Sequence, residues 1–193
     1  MDSRRIMNAS IWKFMERISS QAVQFIIQLI LARLLLPSDY GALSIMLVFI
    51  AFANVLIQGG FNIALVQKED AQEEDFSAIY LICLIVAIAT LVILFFVAPS
   101  IEVFFNLDNF SEPFRVIIFI LIPMALNSVQ IARLQRDMDF KVIFIATLLS
   151  TIISGSTGII FALLDLGIWA LVIQQLTNYI SLCLFIRFRT KLK

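Results

Sequence analysis

Lys13, Arg17, Ser20, Gln21, Gln24 and Gln28 recur at intervals of three and four along the otherwise apolar stretch WKFMERISSQAVQFIIQLILA. At about 100° per residue they fall within roughly one quarter of a helix circumference. Side-chain amides and hydroxyls both donate and accept hydrogen bonds, a chemistry suited to a neutral, hydroxyl-rich ligand, and Arg17 suits an anion. Hydrocarbon satisfies none of these groups, so such a stripe turns toward the protein interior or a wet cavity. Two plainer readings stand beside that one: Lys13 and Arg17 snorkel to headgroups from the helix end, and the glutamines bond to neighbouring helices.

Further uncharged polar faces recur along the chain. Gln174, Thr177, Asn178 and Ser181 share one side of the last apolar stretch, and Ser44, Gln58 and Asn62 lie in the second. Sugar hydroxyls are held by many neutral donors and acceptors rather than by one strong charge. The candidate substrate-contacting residues are therefore Arg17, Gln21, Gln24, Gln28, Gln58, Asn62, Gln174 and Asn178. Thr147, Ser150, Thr151, Ser154 and Gly158 in the fifth stretch read instead as small residues that let helices approach closely. The acidic segment KEDAQEED, residues 68–75, reads as a solvated turn.

Catalysis starts from little. The chain has no histidine, and its two cysteines, Cys83 and Cys183, stand apart in apolar stretches. That removes the usual general base, the Ser/His and Cys/His pairs and a zinc site, while carboxylate or lysine chemistry stays open. No catalytic residue, metal ligand or cofactor is expected. A formal net charge of zero gives no pull toward nucleic acid.

The elements that position the polar faces follow from composition. Of 193 residues, 61% are hydrophobic and 15% charged, with a mean hydropathy of +0.99, a mix for which water is not the main solvent. A hydrocarbon core of about 30 Å needs about 20 helical residues. Apolar runs near 11–36, 40–66, 76–100, 115–132, 142–164 and 167–186 meet that length, which predicts an all-α, polytopic bundle of about six transmembrane helices in a single unit over residues 1–193. Pro37 and Gly41 mark the first turn, Pro99 is expected to end the third span and Gly167 to open the sixth, while Gly59, Gly60 and Pro123 predict bends. Residues 101–115 read as a short interfacial helix or an ordinary aromatic belt. The N-terminal segment lacks a cleavable signal and is expected to stay attached.

Basic residues separate cleanly between alternate connections. Arg4, Arg5, Lys13, Arg17, Lys68, Arg133, Arg136, Lys141, Arg187, Arg189, Lys191 and Lys193 fall on one side, and only Arg33 and Arg115 on the other. By the positive-inside rule both termini are expected in the cytoplasm.

Four strings together resemble the amino-terminal half of a known transporter group: WKFMERISSQAVQFIIQLILARLLLPSDYG, GGFNIALVQKED, IPMALNSVQIARLQRDMDFK and GIWALVIQQL. Their combination of LARLLxPxDYG, GFxxALxQ and the RxMDFK loop is similar to the polysaccharide-transport flippases, including Wzx-type O-antigen flippases and colanic-acid exporters of the multidrug/oligosaccharidyl-lipid/polysaccharide superfamily. The resemblance implies an inner-membrane protein of two lobes that flips an undecaprenyl-diphosphate-linked oligosaccharide by alternating between inward-open and outward-open states. It implies that Arg17 meets the lipid diphosphate, that the polar faces of the first, second and sixth spans meet the glycan, and that Arg33, Asp39 and Tyr40 shape the first outer turn. This sequence covers one lobe, so the implied partners are membrane lipids, the lipid-linked substrate, a second lobe or a homodimer partner, and a polysaccharide polymerase.

Three other functions compete. An ion-coupled drug extruder of the same superfamily would place a carboxylate deep within a span, whereas here Glu16 and Asp165 lie nearest to bilayer depth and neither is central. A membrane enzyme acting on polyprenyl-linked sugars needs acidic clusters at a membrane face, for which only KEDAQEED qualifies. An assembly subunit without transport activity is favoured if the polar stripe is fully packed and dry.

Overall fold

The computed structural model describes residues 3–59, 73–107, 109–136 and 139–191, all helical apart from short connections. The helices are α1 (Ser3–Leu34), α2 (Pro37–Gln58), α3 (Glu73–Phe105), α4 (Ser111–Ile117), α5 (Leu121–Arg136), α6 (Phe140–Leu163) and α7 (Ile168–Lys191), with a 3-10 turn at Ile118–Ile120 joining α4 to α5. Five segments are long and apolar enough to cross a membrane: Pro37–Gln58, Ser77–Phe105, Ser111–Arg136, Phe140–Leu163 and Ile168–Phe188. α1 has the length but a lower hydropathy, because its glutamines and flanking charges interrupt the apolar run. The protein is a multi-pass helical membrane protein.

The breakers act in four different ways. Pro37 opens α2 at a position where its missing N–H costs nothing, and Asp39 reaches back to accept the Leu36 N–H at 3.1 Å. Gly59 adopts a left-handed conformation, φ 45°, and ends α2. It therefore caps α2 at Gln58, and Gly60 and the rest of the span expected to about residue 66 lie outside the described residues. Pro99 does the reverse of its expected role, and α3 continues through it to Phe105. The Phe95 carbonyl, which Pro99 leaves without a helical donor, accepts from Arg115 Nε at 3.4 Å. Pro123 lies in the first turn of α5, just beyond the 3-10 turn.

Residues 101–115 divide between the end of α3, the turn after it and the start of α4. α3 runs to Phe105, and Asn106 and Asn109 take positive φ in the turn before α4. Glu102 closes that turn by accepting from the Ser111 N–H at 2.6 Å and from its hydroxyl. Gly167, φ 53°, makes the α6–α7 corner against the Asp39 carboxylate.

The main core draws on all seven helices. Phe114 stacks on Phe110 and meets Phe49 of α2 edge-on, among fully buried Ile117, Ile118, Ile120 and Leu121. A smaller cluster of Leu134, Ile143, Ala146 and Ile186 ties α5, α6 and α7 together. Most other large apolar side chains on α3 are exposed, as lipid contact requires.

Candidate functional site

α1 lies against α6 and has no comparable packing elsewhere among the described residues. The seam is a knob in a hole: Ile27 occupies the space that a side chain at Gly155 would need. Ile27, Leu31 and Leu35 are buried, and the rest of the α1 circumference is largely exposed.

Helix geometry fixes which way the polar stripe turns. α7 meets α6 beside the α1 seam, with Gln174 over Gly158 and Asn178 Nδ2 donating to Ser154 Oγ at 3.1 Å. Ser154 and Gly158 lie about 60–100° round α6 from Gly155, so α1 and α7 occupy adjacent sides of α6. Asp39, in the turn that follows α1, lies against Gly167, in the corner that follows α6, so α1 and α6 run in the same direction. Arg17, Gln21, Gln24 and Gln28 then lie about 60–120° round α1 from Ile27, on the flank turned toward α7. Ala22, Ile26 and Ile30 lie on the opposite flank.

Gln24 is half-buried, and Arg17, Gln21 and Gln28 are exposed. From Arg17 to Gln28 the stripe rises about 16 Å, and so covers about half of the hydrocarbon thickness. Beyond Gln28 the α1 flank is apolar to Leu31. Ser20 sits nearer the α6 seam, where its hydroxyl is buried without a partner in the protein.

α2 contributes a second polar flank. Gln58 Nε2 donates to Asn54 Oδ1 at 2.8 Å and the Ser44 hydroxyl donates to the Tyr40 carbonyl at 2.7 Å. These residues sit beside the packed row of Met46, Ile50, Ala53 and Ile57. α1 and α2 diverge from the two-residue link Leu35–Leu36 without extended packing on each other. Asn62 lies outside the described residues.

The two α7 candidates are placed differently. Gln174 is 6% exposed, its methylene stem packed against Gly158, and Asn178 bonds to Ser154. Both belong to the α6–α7 seam and do not converge with the α1 stripe. The hydroxyls of Ser150, Thr151, Ser154, Ser156 and Thr157 all donate to carbonyls of α6 itself, which fits the packing role read for that helix.

Two polar residues stood out less in the sequence. Asn54 pairs with Gln58, a relation visible only as an i, i+4 spacing. Asn127, 3% exposed, donates from Nδ2 to the Tyr179 carbonyl at 3.1 Å and joins α5 to α7, while its Oδ1 has no partner. Cys83 donates to the Ile57 carbonyl at 3.3 Å and joins α3 to α2. Among the described residues no group of three or more His, Cys, Asp or Glu side chains gathers to hold a metal.

The fold and the exposed amides of α1 define a multi-pass helical membrane protein with a polar flank on its first helix. Sequence comparison gives the family: residues 30–193 match the polysaccharide biosynthesis protein family, and the chain belongs to it. A succinoglycan biosynthesis transport protein, ExoT, of Rhizobium meliloti (strain 1021) is 26% identical over 84% of this chain and 33% of its own length. An uncharacterized membrane protein in the cps region of Klebsiella pneumoniae is 24% identical over 68% of this chain and 27% of its own length. The teichuronic acid biosynthesis protein TuaB of Bacillus subtilis (strain 168) is 21% identical over 90% of this chain and 36% of its own length. The chain thus spans about a third of the length of these relatives. No solved structure matches it.

Proposed function

We propose that this chain forms one lobe of a flippase that moves a lipid-linked oligosaccharide, a polysaccharide repeat unit on undecaprenyl diphosphate, across the inner membrane by alternating access. The observation that carries the reading is the α1 flank. Its amides reach about half-way through the bilayer, and packing against α6 consumes none of Arg17, Gln21 and Gln28. Family membership supports a saccharide cargo, and a relative named as a transport protein supports movement rather than catalysis.

In this reading Arg17, at the end of the stripe, pairs with the diphosphate, and Gln21, Gln24, Gln28 and Gln58 meet glycan hydroxyls. Both termini lie in the cytoplasm, where the basic connections favour them. A second lobe or a homodimer partner closes the cavity on the side that α1 and α2 leave open. Transport requires that cargo bind the two facing states unequally, so the contacts on the α1 flank must change between them.

Complementation of an export-deficient host with the full-length protein tests the proposal. Arg17→Ala and Gln24→Leu are expected to reduce surface polysaccharide at least tenfold at unchanged membrane abundance. Normal export by both variants would remove the α1 flank from cargo binding.

A further inference from the structure

Neither α7 residue singled out by the sequence faces the α1 stripe, yet α7 carries a third amide beside them. Gln175 is half-buried and lies about 100° round α7 from Gln174. α7 runs opposite to α6, and with Gln174 and Asn178 held on α6 the turn from Gln174 to Gln175 leads toward α1. The other direction leads to Ile180 and Leu184, which are exposed and apolar. Gln175 therefore sits on the α1 side of α7, and the lipid-facing side is elsewhere.

Depth agrees with direction. Ile27 lies at Gly155 and Gln174 at Gly158, three residues apart on α6, so Gln175 falls within one helical turn, about 5 Å, of Gln28. Two helices on adjacent sides of a third, each at an interaxial distance of about 9 Å, have axes about 12 Å apart. That gap matches the lack of extended packing between α1 and α7. It is too wide for the two backbones to close on each other, and helix register places glutamines on both of its walls.

From this placement we infer that Gln175 of α7, together with Gln24 and Gln28 of α1, forms an amide-lined binding site for the hydroxyl groups of a carbohydrate. The inference rests on the reading of the α1 flank as cargo-facing and adds the opposite wall of the site. Each amide offers two donors and an acceptor, and three of them around one gap satisfy vicinal hydroxyls without a charge. Gln174, one residue earlier, is spent on the packing of α6.

The test uses the full-length protein with Cys83 and Cys183 replaced by alanine and single cysteines placed at 174 and 175. A small charged thiol reagent is applied to sealed vesicles of each orientation. Gln175→Cys is expected to label at least tenfold faster than Gln174→Cys; equal labelling, or faster labelling at 174, overturns the placement. Export is then measured for Gln175→Leu and Gln175→Asn at matched abundance, with a loss of at least tenfold expected for leucine and partial recovery for asparagine. Full export by Gln175→Leu alongside defective Arg17→Ala and Gln24→Leu overturns this inference and leaves the proposed function standing. Full export by all three removes both.

Discussion

The guanidinium of Arg115 donates to the Phe95 carbonyl, the one backbone acceptor in α3 that Pro99 deprives of its helical N–H, and it lies over the Phe95 ring at 4.8 Å. An arginine of α4 thus repairs a proline in α3. Arg115→Leu leaves that carbonyl unpaired in an apolar setting and is expected to destabilise the protein by about 1–3 kcal/mol. Pro99→Ala returns a helical donor, so Arg115→Leu should cost less in that background. A double-mutant cycle read from unfolding in detergent measures the coupling; additive effects would show that the contact has no energetic weight.

At the α1–α6 seam, a β-carbon added to Gly155 would come within 2.6 Å of Ile27 Cγ1 and closer still to Cδ1. Since α1 is held almost entirely by α6, this overlap strains the attachment of the whole helix. Gly155→Ala is expected to cost about 1–3 kcal/mol through overpacking. Ile27→Val, which shortens the opposing side chain, should recover part of that loss when the two are combined, although alone it costs about 1 kcal/mol. Thermal unfolding of the four proteins in one detergent decides the matter.

Much of this was legible in the chain because membrane helices declare themselves by length and apolarity. The spans from 76, 115, 142 and 167 onward correspond to observed helices, and Gly167 opens the last one. What local pattern does not carry is how a breaker is compensated. Pro99 stays inside a helix where Arg115, sixteen residues on, answers the Phe95 carbonyl that Pro99 leaves without a helical donor. The same limit applies at the site. A helical face is visible from spacing, but whether Gln174 looks into a cleft or onto a glycine depends on which neighbour stands there, and that neighbour, Gly158, lies on another helix.

Asn127 shows how an interhelix bond constrains substitution. Its Nδ2 donates to Tyr179 and its Oδ1 is buried without a partner. Asn127→Leu removes one bond and one unsatisfied acceptor together, so its expected cost is modest, about 1 kcal/mol. Asn127→Asp keeps the shape but sets a carboxylate against the Tyr179 carbonyl with no donor to receive it, at an expected cost of several kcal/mol. Folded yield and melting temperature should therefore rank wild type, leucine and aspartate in that order. Both variants lose the bond to Tyr179, so a leucine variant worse than aspartate would show that the misfit of the branched side chain outweighs the burial of charge.

The sidedness of α1 makes the sharpest prediction, because Gln21 and Gln28 lie on the flank toward α7 while Ile26 and Ile30 lie on the opposite flank, all four side chains being exposed in this lobe. If the α7-facing flank borders water, a charged thiol reagent must discriminate between residues of nearly equal depth. Thiolate forms and reacts in water and is suppressed in hydrocarbon, so contact with lipid silences a cysteine that contact with a wet cleft leaves reactive. In the cysteine-free full-length protein, Gln21→Cys and Gln28→Cys are expected to label at least tenfold faster than Ile26→Cys and Ile30→Cys. Uniformly slow labelling would mean that the stripe is dry and that its amides serve helix packing. Uniformly fast labelling would mean that α1 is surrounded by water, which the apolar flank carrying Ile26 and Ile30 does not allow in a folded membrane bundle.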